Sequence, residues 1–379
     1  MNHTYDAAVL GAGIAGSSLA KSLADQGWDT VLIDRQLFPR HKVCGEFLSP
    51  ESQHTLNALG LLNTVKSLQP SLISKIRLIF SRGDILEIPL PGHAIGVSRY
   101  LLDSTLHSEV IRSGASLQTA TTVTSVYPNE DGYRIEMKQE GLPIQVQVRT
   151  VIAAWGANRR SGILGSTQIS SVNHLHTGVK SHYSGIDIEP VVELYLFPGG
   201  YMGISPIEGG LVNVAALLTQ ESFGKTEKTI LGMIDAAARR NPKLYQKLAQ
   251  ATPVPGTQVA VAPVDLHRRP LAWDVIPHVG DAALMIPPLC GDGMSIALRS
   301  ARLCSTLADR YLRRDISLAR WQYEYTRSIH REFKSPMRWG RLLQWLFGLP
   351  IVPQLLPRLG HLAPGLAFEL VRATRLKET

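Results

Sequence analysis

The stretch that most constrains this chain is its start, TYDAAVLGAGIAGSSLAKSLADQGWDTVLIDR, residues 4–35. Residues 6–10 predict a short apolar strand that runs straight into Gly11, Gly13 and Gly16, spaced G-x-G-x-x-G. Leu19 and Leu23 then mark one face of a helix, and a second strand, 30–33, ends on Asp34. Each part has a physical reason. Gly11 permits a tight turn, Gly13 lets the backbone approach a pyrophosphate, and Gly16 lets helix and strand pack closely. The helix N-terminus, with Ile14 and Ala15 in its first turn, offers amide donors and a partial positive charge to that anion. Asp34, with Arg35 beside it, is placed to accept hydrogen bonds from a ribose. Together these elements predict a Rossmann-type dinucleotide-binding unit.

At 379 residues, 44% hydrophobic and 18% charged, the chain is a packed globular protein too long for one ordinary core, so two domains are expected. A net charge of +8 suits an anionic ligand or an acidic membrane surface. The basic residues are scattered and form no nucleic-acid arm, so no nucleic-acid partner is expected. The first strand begins almost at once, with no basic or cleavable apolar segment ahead of it, which predicts a cytoplasmic location. Cys44, Cys290 and Cys304 are odd in number and widely spaced, fitting neither a disulfide framework nor a zinc site; no metal is expected. Residues 342–356 fall short of a transmembrane span because Pro350 and Pro353 interrupt them.

Further along, helix and strand patterns alternate. A helix is expected over 52–62, and residues 72–90 alternate in the strand manner with Ile76, Leu78 and Phe80 on one face. A helix over 97–113 carries Arg99 just at its start. A strand over 116–126, which includes Val123, precedes a hairpin that turns near Glu140 and Gly141. Residues 151–158 predict a strand hydrophobic on both faces, as in a parallel sheet, ending in a turn at Gly156. From 172 to 262 strands dominate, interrupted by one helix at 230–238. The expectation is an α/β fold, α+β overall. A nucleotide-binding domain (1–66, 99–165 and 268–330) is interleaved with an antiparallel-sheet substrate domain (67–98 and 166–267), and a C-terminal helical segment (331–379) follows. In that last segment Trp339, Leu342, Leu343, Leu346 and Phe347 make an apolar face beside Arg338 and Arg341. It suits helices packed back on the substrate domain, a cap over a pocket, or a peripheral membrane contact.

A second constellation is VIPHVGDAALMIPPLCGDGM, residues 275–294. Asp281 suits the hydroxyls of a ribityl chain. A loop through Pro288 follows, and free amides around Gly291, Asp292, Gly293 and Met294 suit the pyrimidine edge of a flavin, where negative charge grows on reduction.

GAGIAG with Asp34, Arg99 ahead of a helix, and GDAALMIPPLCGDGM resemble the group A flavoprotein monooxygenases with the p-hydroxybenzoate hydroxylase fold. More narrowly, PRHKVCGE at 39–46 and PGGYMGISP at 198–206 resemble the geranylgeranyl reductase and flavin-dependent halogenase branch of that superfamily. The resemblance implies FAD, held by the glycine unit, Asp34, Arg35, Cys44, Gly45, Arg99, Val123, Gly156, Asp281, Pro288 and residues 291–294, with NAD(P)H as a candidate external reductant. The departures are specific. Reductases of that family carry P-x4-C-G-G, and Glu46 stands at the second glycine here. Their Y-x-W-x-F-P motif keeps Tyr201 and Pro206 but has Gly203 and Ser205 at the aromatic positions. The halogenase W-x-W-x-I-P motif is absent, and the G-A-D-G of hydroxylases is replaced by Gly156, Ala157, Asn158 and Arg159.

The function expected from these residues is that of an FAD-dependent oxidoreductase, foremost a monooxygenase that attacks a hydrophobic or aromatic small molecule with oxygen activated at flavin C4a. A double-bond reductase of the geranylgeranyl reductase type is the alternative, and an FAD-binding partner protein without turnover is a third reading. Cys44, Glu46 and Cys290 are the candidate catalytic residues. Cys44 matches the reductase loop cysteine, Cys290 precedes the flavin-facing glycines, and Glu46 beside an apolar pocket is expected to have a raised pKa. Tyr201, Gly203, Ser205, Lys180 and His182 are the candidate substrate pocket, with His176 and His182 on one strand face. The expected partners are a hydrophobic small-molecule substrate and a peripheral membrane or reductase contact, on a monomer.

Overall fold

The computed structural model describes residues 4–157, 176–219, 229–348 and 375–376. Asn158, Arg159 and most of the segment beyond 348 lie outside the described residues. Four strands, β1 (Thr4–Leu10), β2 (Thr30–Ile33), β6 (Ser116–Gln118) and β9 (Leu142–Ala153), pair in parallel in the order β6-β2-β1-β9. Their inner residues, such as Ala7, Val9, Val31 and Ile152, are wholly buried, as a parallel sheet covered on both faces requires. β7 (Thr121–Asn129) and β8 (Gly132–Gln139) extend β9 as an antiparallel wing. The single strand expected over 116–126 is therefore two. Ala120, at a φ of +52°, turns the chain from one edge of the sheet toward the other. Val123 buries its side chain in the core of this wing, with Val126 and Ile135.

Helices α1 (Ile14–Asp25) and α7 (Gly293–Leu312) pack together on one face, where Leu19, Ala20 and Leu23 share a core with Ala301, Cys304 and Ala308. The carboxyl ends of β1, β2 and β9 deliver Gly11, Asp34 and Ala154 to one edge of the sheet, the crevice in which open α/β sheets bind ligands. Outside α7 runs α8 (Leu318–Gly348), which buries Trp321, Tyr325, Ile329, Phe333 and Met337 at four-residue spacing. It is one 31-residue helix that carries Pro336 inside it and runs across the boundary expected at residue 331.

The second sheet runs β14 (Thr252–Pro253), β10 (His176–Ser184), β13 (Val212–Thr219), β12 (Gly200–Pro206), β11 (Val191–Phe197), β4 (Ser71–Phe80), β5 (Ile85–Gly96), β3 (Phe47–Leu48), with β15 (Val259–Val264) also on β10. It is antiparallel except where β11 runs beside β4. α5 (Ile230–Ala238) and α6 (Pro242–Ala249) cover the face that carries Tyr195, Met202 and Val214. The helix expected over 52–62 breaks at Gly60, φ +67°, into α2 (Ser52–Ala58) and α3 (Leu62–Lys66). α4 (Arg99–Arg112) begins where Ser98 Oγ accepts from Leu101 N at 3.1 Å, an N-cap that fixes Arg99 as its first residue. β3 enters the second sheet straight from the loop 39–46, so that loop lies where the two sheets meet.

Candidate active site

The glycine unit is built as its spacing demands. Gly11 has a φ of +116°, and a Cβ there or on Gly16 would run into backbone, that of residue 154 and of Gly11 respectively. Asp34 Oδ2 accepts from Ala12 N at 2.8 Å and Oδ1 from Gln36 N at 2.8 Å, so the carboxylate is fixed at the tip of β2 beside exposed Arg35. Across the crevice, Gly280 sits at φ +59°, and a Cβ on it would lie 2.9 Å from the Ala15 side chain. That close approach sets Asp281 beside the first turn of α1. Gly156, φ +82°, has the Lys42 ammonium 3.9 Å from where its Cβ would be.

At the start of α7, Asp292 occupies the N-cap position but makes no side-chain cap bond. Its carboxylate turns instead to Arg375 at 2.8 Å, inside the protein. Burial pushes the Asp292 pKa up to about 6 against the pull of Arg375. The first amides of α7, at Gly293 and Met294, are left for an outside acceptor. Cys290, just before them, is a different matter from its sequence expectation. α8 lies on it, with Gly340 so near that a Cβ there would stand 2.9 Å from the sulfur. Burial, then Asp292, pushes its thiol up to about 12, which keeps it protonated near neutral pH.

The loop 39–46 has tertiary partners that the spacing alone does not reveal. Two side chains of the second sheet hold it by its carbonyls, Ser205 Oγ donating to Gly45 O (2.8 Å) and Asn213 Nδ2 to Cys44 O (3.0 Å). Half-buried Cys44 packs against the apolar cluster that includes Ile14 of the glycine unit and Met294 at the head of α7. Its other neighbour is Arg99, which forks onto Asp103 at 2.9 and 2.7 Å. Burial by itself would lower the Arg99 pKa, but Asp103 and then Cys44 raise it, so the guanidinium stays charged.

Glu46 is not the solvated or proton-holding acid that the sequence suggested. It has a φ of +53°, the left-handed region, which accounts for the glycine that the reductase motif has there. Its side chain is wholly buried and saturated: Oε1 accepts from Lys180 Nζ and from Arg99 N (2.7 Å), and Oε2 faces His182 Nε2 at 2.7 Å. Burial would raise its pKa, but the hydrogen bond from His182 and the charge of Lys180 prevail and hold it below the ordinary value. Lys180 and His182 alternate on β10 and so share a face; they line this buried cluster rather than an open pocket. His41 lies edge-on to His182 (5.1 Å between ring centroids) and stacks on Tyr100. Burial, then the charges of Lys180 and His182, pushes its pKa down to about 4. His176 lies on the same strand face but outside the Glu46 cluster.

The pocket residues divide. Tyr201 is buried with Phe47, Leu217 and Leu266, and partly buried Met285, Leu289 and Phe347 complete its apolar cluster. Its hydroxyl has no hydrogen-bond partner among the described residues. Gly203, in an aromatic position of the reductase motif, backs onto Leu194, and Ser205, in the other, is the tether of the loop.

This donor set fits FAD. A Cβ on Gly45 or Gly293 would meet nothing within 4 Å, and one on Gly13 only the Arg99 guanidinium at 3.6 Å, so these backbones face open space. Asp34, Asp281 and the free amides of α7 border that space. Among the described residues no cluster of His, Cys, Asp and Glu could hold a metal ion. Asp34→Ala is expected to weaken FAD binding by about 1–3 kcal/mol, the cost of lost hydrogen bonds to a charged acceptor. Titration of the apoprotein with FAD reads it, and unchanged affinity would remove Asp34 from the site.

Comparison with known proteins agrees with this geometry. The FAD binding domain family model matches residues 4–190. The chain is 25% identical to digeranylgeranylglycerophospholipid reductase 1 of Methanothermobacter thermautotrophicus over 343 residues, 86% of this chain and 82% of that one. It is 29% identical to a menaquinone reductase of Mycolicibacterium smegmatis over 337 residues, 81% and 77% of the two chains. Two solved structures share the fold at 19% identity: a geranylgeranyl bacteriochlorophyll reductase-like protein from Thermoplasma acidophilum (TM-score 0.78, 100% and 93% covered) and a flavin-dependent brominase (TM-score 0.80, 98% and 93%).

Proposed function

We propose that this FAD-dependent oxidoreductase belongs to the p-hydroxybenzoate hydroxylase-fold superfamily and hydrogenates a carbon–carbon double bond in a lipid-like, isoprenoid substrate. The observation that carries this reading is the position of Cys44. Its side chain packs against the apolar cluster that takes in Ile14 of the glycine unit and Met294 at the head of α7, close to the charged Arg99 guanidinium. The names of the sequence relatives, reductases of geranylgeranyl lipids and of menaquinone, support the same chemistry. Oxygenation, the reading foremost in the sequence, keeps the support of the shared fold but gives the thiol no part.

When bound, FAD supplies hydride transfer. The protein must then protonate the carbon left with negative charge. Cys44 gives its proton to that carbon. Asp103 keeps Arg99 in place, and Glu46, by accepting from the Arg99 amide, fixes where α4 starts. The Tyr201 cluster takes the apolar chain of the substrate, which excludes water from the reacting atoms. The sequence holds one glycine unit joined to one ribose acid, which favours electrons from NAD(P)H that docks transiently, from a reductase, or from the substrate itself.

Holoprotein reduced with dithionite and given a geranylgeranyl lipid without oxygen is expected to yield a product heavier by one pair of hydrogens, read by mass spectrometry. A product that gains an oxygen atom, and forms only when oxygen is admitted, would return the chain to the monooxygenases.

A further inference from the structure

The last third of α8 does something that packing does not require. Its inward side is already satisfied, from Trp321 to Met337 and on to Gly340 against Cys290. The outward side carries Arg331, Lys334 and Arg338, then Trp339, Leu342 and Trp345, all exposed, each set of three spaced three or four residues apart. Trp345 is 60% exposed, an unusual position for so large an apolar surface. Glu332, the acid nearest in sequence, is turned inward and paired with Arg299 and Arg331. Arg341 donates to Arg268 O at 2.9 Å, which brings exposed His267 and Arg269 to the rim of the same surface.

We propose that this stripe is a docking surface for an anionic lipid bilayer. Cations that end in a cluster of tryptophan and leucine match the chemistry of a charged headgroup layer above an acyl boundary, where indole rings settle. A second copy of the chain is disfavoured as occupant, because two such cationic faces on chains of net charge +8 repel. The surface also leads somewhere. Two residues beyond Trp345, Phe347 is half-buried in the cluster of Phe47, Tyr201 and Leu217. Phe347 thus ties the end of this surface to the apolar cluster of the second sheet. The docking itself is read without turnover, so it stands or falls apart from the double-bond reading.

Holoprotein is sedimented with vesicles of phosphatidylcholine alone and of phosphatidylcholine mixed with phosphatidylglycerol. Binding to the mixed vesicles, released by high salt, is expected. Trp339→Ala with Trp345→Ala, and separately Arg331→Gln with Lys334→Gln and Arg338→Gln, are expected to reduce it by about tenfold or more. Both variants should keep the far-UV spectrum and flavin content of the parent, and its turnover on a detergent-dispersed substrate. The proposal is overturned if the parent stays in the supernatant, if it binds neutral vesicles equally well in high salt, or if the variants bind as the parent does. It is equally overturned if the substitutions abolish a self-associated dimer or the capture of an acidic protein and leave vesicle binding intact.

Discussion

Cys44→Ser is expected to lower turnover on a double-bond substrate by about a hundredfold or more, the usual worth of a positioned general acid, while FAD stays bound. Serine is nearly isosteric with cysteine, and Cys44 is only half-buried, so the packing with Ile14 and Met294 should survive. What is lost is acidity: a hydroxyl is a far weaker proton donor than a thiol, and the Arg99 charge cannot make up the difference. Arg99→Lys should impair the same step, because a lysine lacks the fork that holds Asp103 and so loses its fixed position beside Cys44. Single-turnover oxidation of the reduced flavin by substrate, followed across pH, separates the roles. A Cys44→Ser protein that turns over within about threefold of the parent would rule the thiol out as the acid and favour an oxygenating reaction, in which the side chain only shapes the pocket.

The parts of this site that sequence makes legible are those whose partners are close along the chain. Gly11 to Gly16 and Asp34 lie within one βαβ unit, and the reasons for their spacing are local. Glu46 is the opposite case. Its partners are 134 and 136 residues away on β10, and they meet it only because Ser205 and Asn213 hold the loop by its carbonyls. A signal was present: Lys180 and His182 alternate on a strand otherwise fit for burial, and two buried polar groups on one face require a partner. Which acid would serve was set by tertiary structure, and the same contacts turned an expected raised pKa into a lowered one. Cys290 is a similar case. Its neighbour in sequence is the glycine turn at 291–293, but its neighbour in space is Gly340 of α8, a helix whose inward stripe from Trp321 to Met337 is visible in the sequence at four-residue spacing.

Glu46→Gln should be the most damaging substitution to stability outside the apolar core. It leaves the Lys180 ammonium in a wholly buried site without its counter-charge, and breaking a buried ion pair from one side typically costs about 3–5 kcal/mol. The glutamine can still accept from Arg99 N, so the start of α4 is kept and the loss is chiefly electrostatic. For that reason the double variant Glu46→Gln/Lys180→Met should recover most of the loss, as an apolar side chain of similar length removes the stranded charge. The pH dependence follows from the direction of the shift. Glu46 has its folded pKa held below the ordinary 4.5, so its contribution is complete above that pH and is lost as pH falls through the lower, folded value. The parent should therefore show an acid limb in its urea midpoint below about pH 4.5 that is flattened in the double variant. Urea midpoints of the parent and both variants, measured from neutral pH into that limb, test the whole argument. A single variant within about 1 kcal/mol of the parent, or a double variant no better than the single, would mean that Glu46 and Lys180 do not form the buried pair on which the loop is anchored.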